Sequence, residues 1–328
     1  MDSLTTCQLT TTRDLTYTYF KSPPTQDNKP YILFLHGFPS SVFHYRHQIS
    51  HFSKAGYGII APTLLGYGKT SKPTDYNVYS GKGMSQDVQE ILQFEKIESV
   101  IGVAHDWGAY LMSRMANHYP TLFSKLVFLD IGYSNPSFNL NRQTINFVNS
   151  MVQQNMGYSV FGYFLFFDEE DAPELMNKNV ASAESLFHSK DNEVIKNYMG
   201  AEGGARKWFE GGKMAEYPAY LTEEDKSEFQ KDFSPENGGF TAALNWYRAQ
   251  LHDVNAEDDK AIPDENKVLK QPTLLISTDN LITAAADFPN QMKQSAPNLT
   301  LKKLETGHWV MLEMPEETNR LCEEFFEG

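Results

Sequence analysis

The chain has 328 residues, 41% of them hydrophobic, enough to bury a large core as one big α/β domain or as a domain with an insertion. Its formal charge of -14 argues against nucleic acid or an anionic membrane as partner, because a polyanion is repelled, and leaves small neutral ligands open. Cys7 and Cys322 give neither a disulfide framework nor a metal spacing, the first residues carry no signal pattern, and no apolar run approaches the ~18 residues that span a bilayer. A soluble cytoplasmic protein without membrane insertion is expected.

In chain order, Asp14 to Phe20 alternates in β fashion and reads as the second half of an antiparallel edge hairpin. Tyr31-Ile32-Leu33-Phe34-Leu35 is a continuous apolar strand, of the kind buried on both faces of a parallel sheet, and runs into the loop His36-Gly37-Phe38-Pro39. Phe43 to Phe52 reads as helix, Tyr57 to Ala61 as strand, and Met84 to Ile97 as helix, with apolar residues at Met84, Val88, Ile91 and Leu92. Val100 to Ala104 is a strand, Ala109 to His118 a helix, and Lys125 to Leu129 another buried strand ending at Asp130. From 131 to 252 the strand rhythm stops and the chain is helix-rich and aromatic, which marks an inserted cap. The stretch 253–270, with Glu257-Asp258-Asp259 and Pro263, is an acidic linker back to the core. The rhythm resumes with the strand Thr273 to Ser277, a helix near Phe288 to Gln294, the strand Leu299 to Leu304, the loop Glu305 to Trp309 and an amphipathic helix through Phe325. The expected fold is α/β, a mostly parallel sheet with helices on both faces, its core formed by 1–130 and 271–328 and split by the cap.

The chemistry centres on Ala104-His105-Asp106-Trp107-Gly108, a strand-turn-helix junction of the form small-x-nucleophile-x-small. Asp106 falls at a helix N-terminus, where free N–H groups favour a negative charge, either as a carboxylate nucleophile or as an ordinary helix cap. A carboxylate that attacks carbon forms an ester, and releasing it needs water activated by a base that an acid holds in place. His308, in the Gly307-His308-Trp309 loop after the last strand, suits the base. Asp130 and Asp279, each following a neighbouring strand, are the candidates for the orienting acid, with Asp130 preferred. The backbone N–H groups of Phe38 and Trp107 would hold the oxygen of the tetrahedral intermediate. His36 and His105 sit in tight turns and brace the loops.

His36-Gly37-Phe38-Pro39, Gly102 to Gly108 and Gly307-His308-Trp309, in this order, resemble the α/β-hydrolase superfamily, and within it the epoxide hydrolase and dehalogenase branch with an aspartate nucleophile. The resemblance covers nearly the whole chain. Gly162 to Phe167 and Leu244 to Arg248 resemble the cap segments that carry two ring-opening tyrosines in soluble epoxide hydrolases, which implies that role for Tyr163 and Tyr247, with Tyr158 a rival to Tyr163. Phenols with pKa near 10 can hydrogen-bond and protonate an opening epoxide oxygen. Where many epoxide hydrolases place their acid beyond the strand after the cap, this chain has Leu281. Leu129-Asp130-Ile131 instead matches the position used by some dehalogenases.

The implied activity is hydrolysis of a lipophilic or aryl epoxide to a vicinal diol, with the epoxide and water as partners and no cofactor or metal. The alternatives are a haloalkane or haloacid dehalogenase, with Trp107 and a cap donor such as Trp208 or Trp246 on the halide, and a non-catalytic ligand receptor on the same fold. The cap aromatics Phe147, Tyr158, Phe161, Phe164 and Phe167 predict an apolar pocket.

Overall fold

The computed structural model describes residues 4–328, and its organisation follows from which strands are apolar on both faces. Eight strands form one sheet: β1 (Thr5–Thr10), β2 (Thr16–Ser22), β3 (Tyr31–Leu35), β4 (Gly58–Pro62), β5 (Val100–His105), β6 (Phe123–Leu129), β7 (Thr273–Ser277) and β8 (Leu299–Lys303). Their order across the sheet is β1-β2-β4-β3-β5-β6-β7-β8. β2 runs antiparallel to both neighbours and every other pairing is parallel. The central strands are buried throughout, as their unbroken apolar sequences require. The outer strands β1 and β8 are polar and largely exposed, with Lys302 and Lys303 on the β8 edge, where a lysine discourages pairing with another chain.

Alternate residues of each strand feed two core layers. Leu33, Leu35, Ala104, Leu126, Phe128 and Leu275 face α2 (Gly81–Phe94) and α3 (Trp107–His118), which answer with Met84, Val88, Leu111 and Met112. Ile32, Phe34, Ile101, Val103, Leu129 and Ile276 face α1 (Arg46–Lys54) and the C-terminal helix Pro315–Glu327 through Ile49, Phe52, Leu321 and Phe326. The helix expected from Met84 begins three residues earlier. Ser80 caps it by accepting the Gly83 N–H, and the two glycines of its first turn mask that start in the sequence.

Between β6 and β7 the described residues form helices and turns and no strand. The first of these helices, Arg142–Met156 and Gly162–Phe167, are α4 and α5. The cap is tied to the core by specific bonds: Trp246 Nε1–H donates to Leu65 O at 2.9 Å, Trp309 Nε1–H to Phe187 O at 3.0 Å, and Arg46 pairs with the capping-box residue Asp225 at 2.7 Å. The acidic stretch after the cap is anchored rather than simply solvated. Buried Arg114 of α3 donates from Nε and Nη2 to the two Asp259 oxygens, each at 2.7 Å, and Asn255 accepts the Gly81 N–H at 2.7 Å. Losing one partner of such a pair would leave a charge buried alone, at a cost of about 3–5 kcal/mol. No helix among the described residues is long and apolar enough to cross a membrane.

The chain returns from β4 to β5 across β3, so the strand order reverses between β3 and β5. Ligands of open parallel sheets bind at the carboxyl ends of the strands on either side of such a reversal. Phe38 follows β3 there, and Asp106 follows β5.

Candidate active site

Asp106 has φ 53 and ψ -125, a conformation rarely adopted by residues other than glycine, imposed by the sharp passage from β5 into α3. Small neighbours permit it. A β-carbon on Gly108 would lie 2.1 Å from Leu35 O, and one on Gly37 would lie 2.4 Å from both Cβ and Oδ1 of Asp106. Although Asp106 stands at the N-cap position of α3, its side chain makes no capping bond. It turns instead toward the β3 loop, where Oδ1 accepts the Phe38 N–H at 2.7 Å. The ordinary-cap reading therefore fails. Burial raises the Asp106 pKa, while the positive field of His308 and the N–H groups of Phe38 and Trp107 oppose the rise. The net direction is opposite to that expected from the helix terminus alone, because loss of solvent outweighs the donors.

His308 stands between two carboxylates. Its Nδ1 lies 2.6 Å from Asp130 Oδ2 and its Nε2 3.7 Å from Asp106 Oδ2. An acceptor this close to Nδ1 fixes the proton there and leaves the Nε2 lone pair facing the Asp106 carboxyl group. Burial lowers the imidazole pKa, but the Asp130 hydrogen bond and charge, aided by Asp106, outweigh it and leave a net rise.

Asp130 is buried, also at positive φ (62°), and its carboxylate is saturated. Besides His308, it accepts Thr278 Oγ1–H at 2.5 Å and Thr283 Oγ1–H at 2.8 Å on Oδ1, and Asn280 Nδ2–H at 3.1 Å on Oδ2. Asp279 is half-exposed and pairs with Lys303 at 2.5 Å, while the imidazole Nδ1 is taken by Asp130. Thr278, Asn280 and Thr283 were not anticipated from the sequence. Their signal was the parallel pairing of β6 with β7, which brings the loop after β7 beside the residue that ends β6.

His36 and His105 act as braces. Leu64 N–H donates to His36 Nε2 at 3.0 Å, and burial pushes the His36 pKa down to about 4. His105 Nε2–H donates to His308 O at 2.8 Å, and burial followed by the His308 charge drives its pKa well below the usual value. Ligand-type atoms of His105, Asp130 and His308 lie within 4.8 Å of one another, and His308 Nδ1 and Asp130 Oδ2 of this group are joined by their own hydrogen bond.

Two cavity lobes, of about 320 and 240 Å³, meet over Asp106 and share Ile131, Tyr163, Tyr247, Ile282 and Thr283 as walls. Tyr163 comes from α5 and Tyr247 from the helix Asn245–Leu251, with ring centroids 5.8 Å apart. Burial, followed by the negative charge of Asp106 for Tyr163 and by Tyr163 and then Asp106 for Tyr247, pushes both phenols well above their usual range. They are therefore held as O–H donors. Tyr158 lines neither lobe, and the Lys196 ammonium lies 5.5 Å from its ring centroid.

Phe161 and Phe164 line the smaller lobe, as expected, and Phe167 supports the floor by packing on Tyr247 at 4.8 Å between centroids. Phe147 is 62% exposed and contributes nothing to the pocket, because Ile145 and Val152 set the inward face of α4. The cap donors suggested for a halide are already engaged, Trp246 by Leu65 O and Trp208 by Ser182 O at 3.1 Å.

Sheet order, junction and cavity together define an α/β hydrolase, and residues 30–315 match the family described as the alpha/beta hydrolase fold, to which the chain belongs. Among curated proteins it is similar to epoxide hydrolase srdG of Neurospora crassa, with 26% identity covering 95% of this chain and 92% of that protein. It is also 26% identical to bifunctional epoxide hydrolase 2 of Sus scrofa, covering 91% of this chain but about half (51%) of that longer protein. Among solved structures, epoxide hydrolase A of Mycobacterium thermoresistibile superposes with a TM-score of 0.81 at 22% identity, over 99% of this chain and 98% of that one.

Proposed function

We propose that this protein is an epoxide hydrolase that works through an ester on Asp106. The observation that carries the reading is that the Asp106 carboxylate and two phenols, the partly buried Tyr163 and the buried Tyr247, line one cavity. With Oδ1 engaged by Phe38, Oδ2 attacks a ring carbon as the carbon–oxygen bond breaks. The leaving oxygen takes a proton from one phenol while the other donates a hydrogen bond. Water then gives a proton to His308 Nε2 and adds to the ester carbonyl carbon. The Phe38 and Trp107 N–H groups stabilise the resulting oxyanion, and Asp130 stabilises the imidazolium. Collapse breaks the ester, the departing alkoxide takes the proton of the new carboxyl group, and the imidazolium proton returns the phenolate to a phenol, so that a vicinal diol leaves and Asp106 returns as a carboxylate. Comparison with named epoxide hydrolases from a fungus and a mammal supports the reading.

Two lobes meeting at the nucleophile suit an epoxide substituted on both sides. The smaller lobe, walled by Leu140, Val148, Phe161, Phe164 and Phe288, would take a lipophilic or aryl group. We assign the hydrolase core to 1–130 and 271–328 and the cap to 131–252. A cytoplasmic setting agrees with the free thiols Cys7 and Cys322.

The test is a side-by-side assay on aryl epoxides, haloalkanes and haloacetates, scoring diol against halide. Diol without halide is expected. Halide without diol would make Asp106 a dehalogenase nucleophile and reduce both tyrosines to pocket lining. The His308→Gln variant should accumulate a covalent adduct on Asp106 whose mass is that of protein plus epoxide.

A further inference from the structure

From Ile131 to Phe167 the sequence carries one charged side chain, Arg142, in a chain whose charged share is 21% and whose net charge is -14. That one charge is paired with Asp168. The segment also supplies most of the large exposed apolar side chains of the cap: Phe138 is 52% exposed, Phe147 62%, Met151 44% and Met156 51%. Phe147 and Met151 are one helical turn apart and form a stripe on the outside of α4, flanked by the uncharged Gln143, Ser150 and Gln154. Large apolar side chains left exposed together on an uncharged segment mark a surface that meets something.

Its position identifies what it meets. Phe138 is half-exposed and also lines the smaller, apolar lobe, so that lobe opens within the patch. Val148, one residue from Phe147 on α4, is part of the lobe wall. A protein seated here would cover the opening, whereas a fluid apolar phase would be continuous with it. The charge pattern selects the kind of phase. The face has no cluster of lysine or arginine to hold an anionic surface, and a net charge of -14 would be repelled by one. Because residues 131–167 carry no carboxylate of their own, their approach to an uncharged interface desolvates few charged groups.

We propose that this face, built on Phe138, Phe147 and Met151, rests on an electrically neutral lipid–water interface, so that a lipophilic molecule passes from the lipid into the apolar lobe without crossing bulk water. The docking step stands on the surface alone. Only the nature of the cargo rests on the epoxide reading.

The experiment is flotation of the full chain with phosphatidylcholine vesicles, alongside a Phe147→Glu/Met151→Glu variant and sedimentation of both proteins without lipid. Neither substituted side chain lines the cavity, so the variant should keep its circular dichroism spectrum and its turnover of a small water-soluble epoxide. The natural chain is expected to float with the vesicles and the variant to bind at least tenfold more weakly. Absence of flotation, or equal flotation of both proteins, would overturn the proposal. So would a concentration-dependent dimer lost in the variant, since the face would then belong to a second copy. Flotation by a chain that turns over no epoxide would keep the docking surface and remove the epoxide reading.

Discussion

Gly37 and Asp106 approach so closely that a β-carbon at position 37 would sit 2.4 Å from both Cβ and Oδ1 of the aspartate. The contact joins the loop after β3 to the turn after β5, the two edges of the strand reversal. It also keeps the Phe38 N–H within 2.7 Å of Oδ1. Gly37→Ala must therefore push the two loops apart, and a displacement near 1 Å at a reacting centre costs on the order of a hundredfold in rate. The variant should fold, bind substrate with little change in KM and lose at least that factor in the rate of ester formation, as read by rapid-quench mass spectrometry. A fully active Gly37→Ala enzyme would show that the Phe38 donor is not needed.

The assignment of Asp130 as the acid behind His308 can be separated from the competing Asp279 by paired variants. Asp130→Asn keeps the shape and, with its amide oxygen at the Oδ1 position, the Thr278 and Thr283 bonds, but it puts an NH2 where Oδ2 accepted from Asn280 and His308 and removes the charge facing Nδ1, so hydrolysis of the ester should slow by roughly 10²–10⁴-fold while the ester still forms. Asp279→Asn removes only a half-exposed pair with Lys303, and activity should stay within about twofold, because such surface pairs contribute little. Equal losses in the two variants would contradict the assignment. Thr283→Val should produce a milder ester-hydrolysis defect that Thr283→Ser rescues.

The sheet was legible because its central strands are apolar on both faces: the expected strand Thr273 to Ser277 has the bounds of β7. Asp106, Asp130 and Phe38 could be named because they follow such strands, His308 because it lies in the loop after the last strand, and the two cap tyrosines only through the resemblance of their segments; all lie around one cavity or directly behind it. What could not be read was lateral. Choosing between Asp130 and Asp279 depends on which side chain turns inward at a shared sheet edge. Thr278, Asn280 and Thr283 reach Asp130 from about 150 positions away along the chain. Phe147 differs for another reason: aromatic character alone points it into the pocket, whereas Ile145 and Val152 set the inward face of that helix and leave Phe147 outside it.

Tyr163 and Tyr247 line one cavity from separate helices with ring centroids 5.8 Å apart, so either phenol can still serve the ring oxygen when the other is lost. Tyr163→Phe and Tyr247→Phe should each slow ester formation by about ten- to a hundredfold, and the double variant by roughly 10³-fold or more, with ester hydrolysis unchanged. A double variant with near-normal diol formation would leave the phenols as packing only. Loss confined to the hydrolytic step would place them with the wrong half of the reaction.

Two partly buried ionisable groups, Asp106 and His308, set the pH dependence of the two half-reactions. Ester formation needs ionised Asp106, whose pKa burial raises above 3.8, so this step should gain rate as pH climbs out of the acid range. Hydrolysis needs neutral His308. Burial lowers its pKa, but Asp130 and then Asp106 outweigh burial and carry it above 6.5, so the imidazole keeps its proton to higher pH and hydrolysis gains rate only as pH climbs past the ordinary imidazole range. Once Asp106 is esterified its charge is gone, and one of the groups that raises His308 goes with it, which eases release of the proton in the intermediate that needs the base. At pH 5 the ester should therefore accumulate during turnover, and at pH 8 it should be sparse, as measured by intact-protein mass after acid quench. An ester fraction that does not change between these pH values would mean that His308 is not the base.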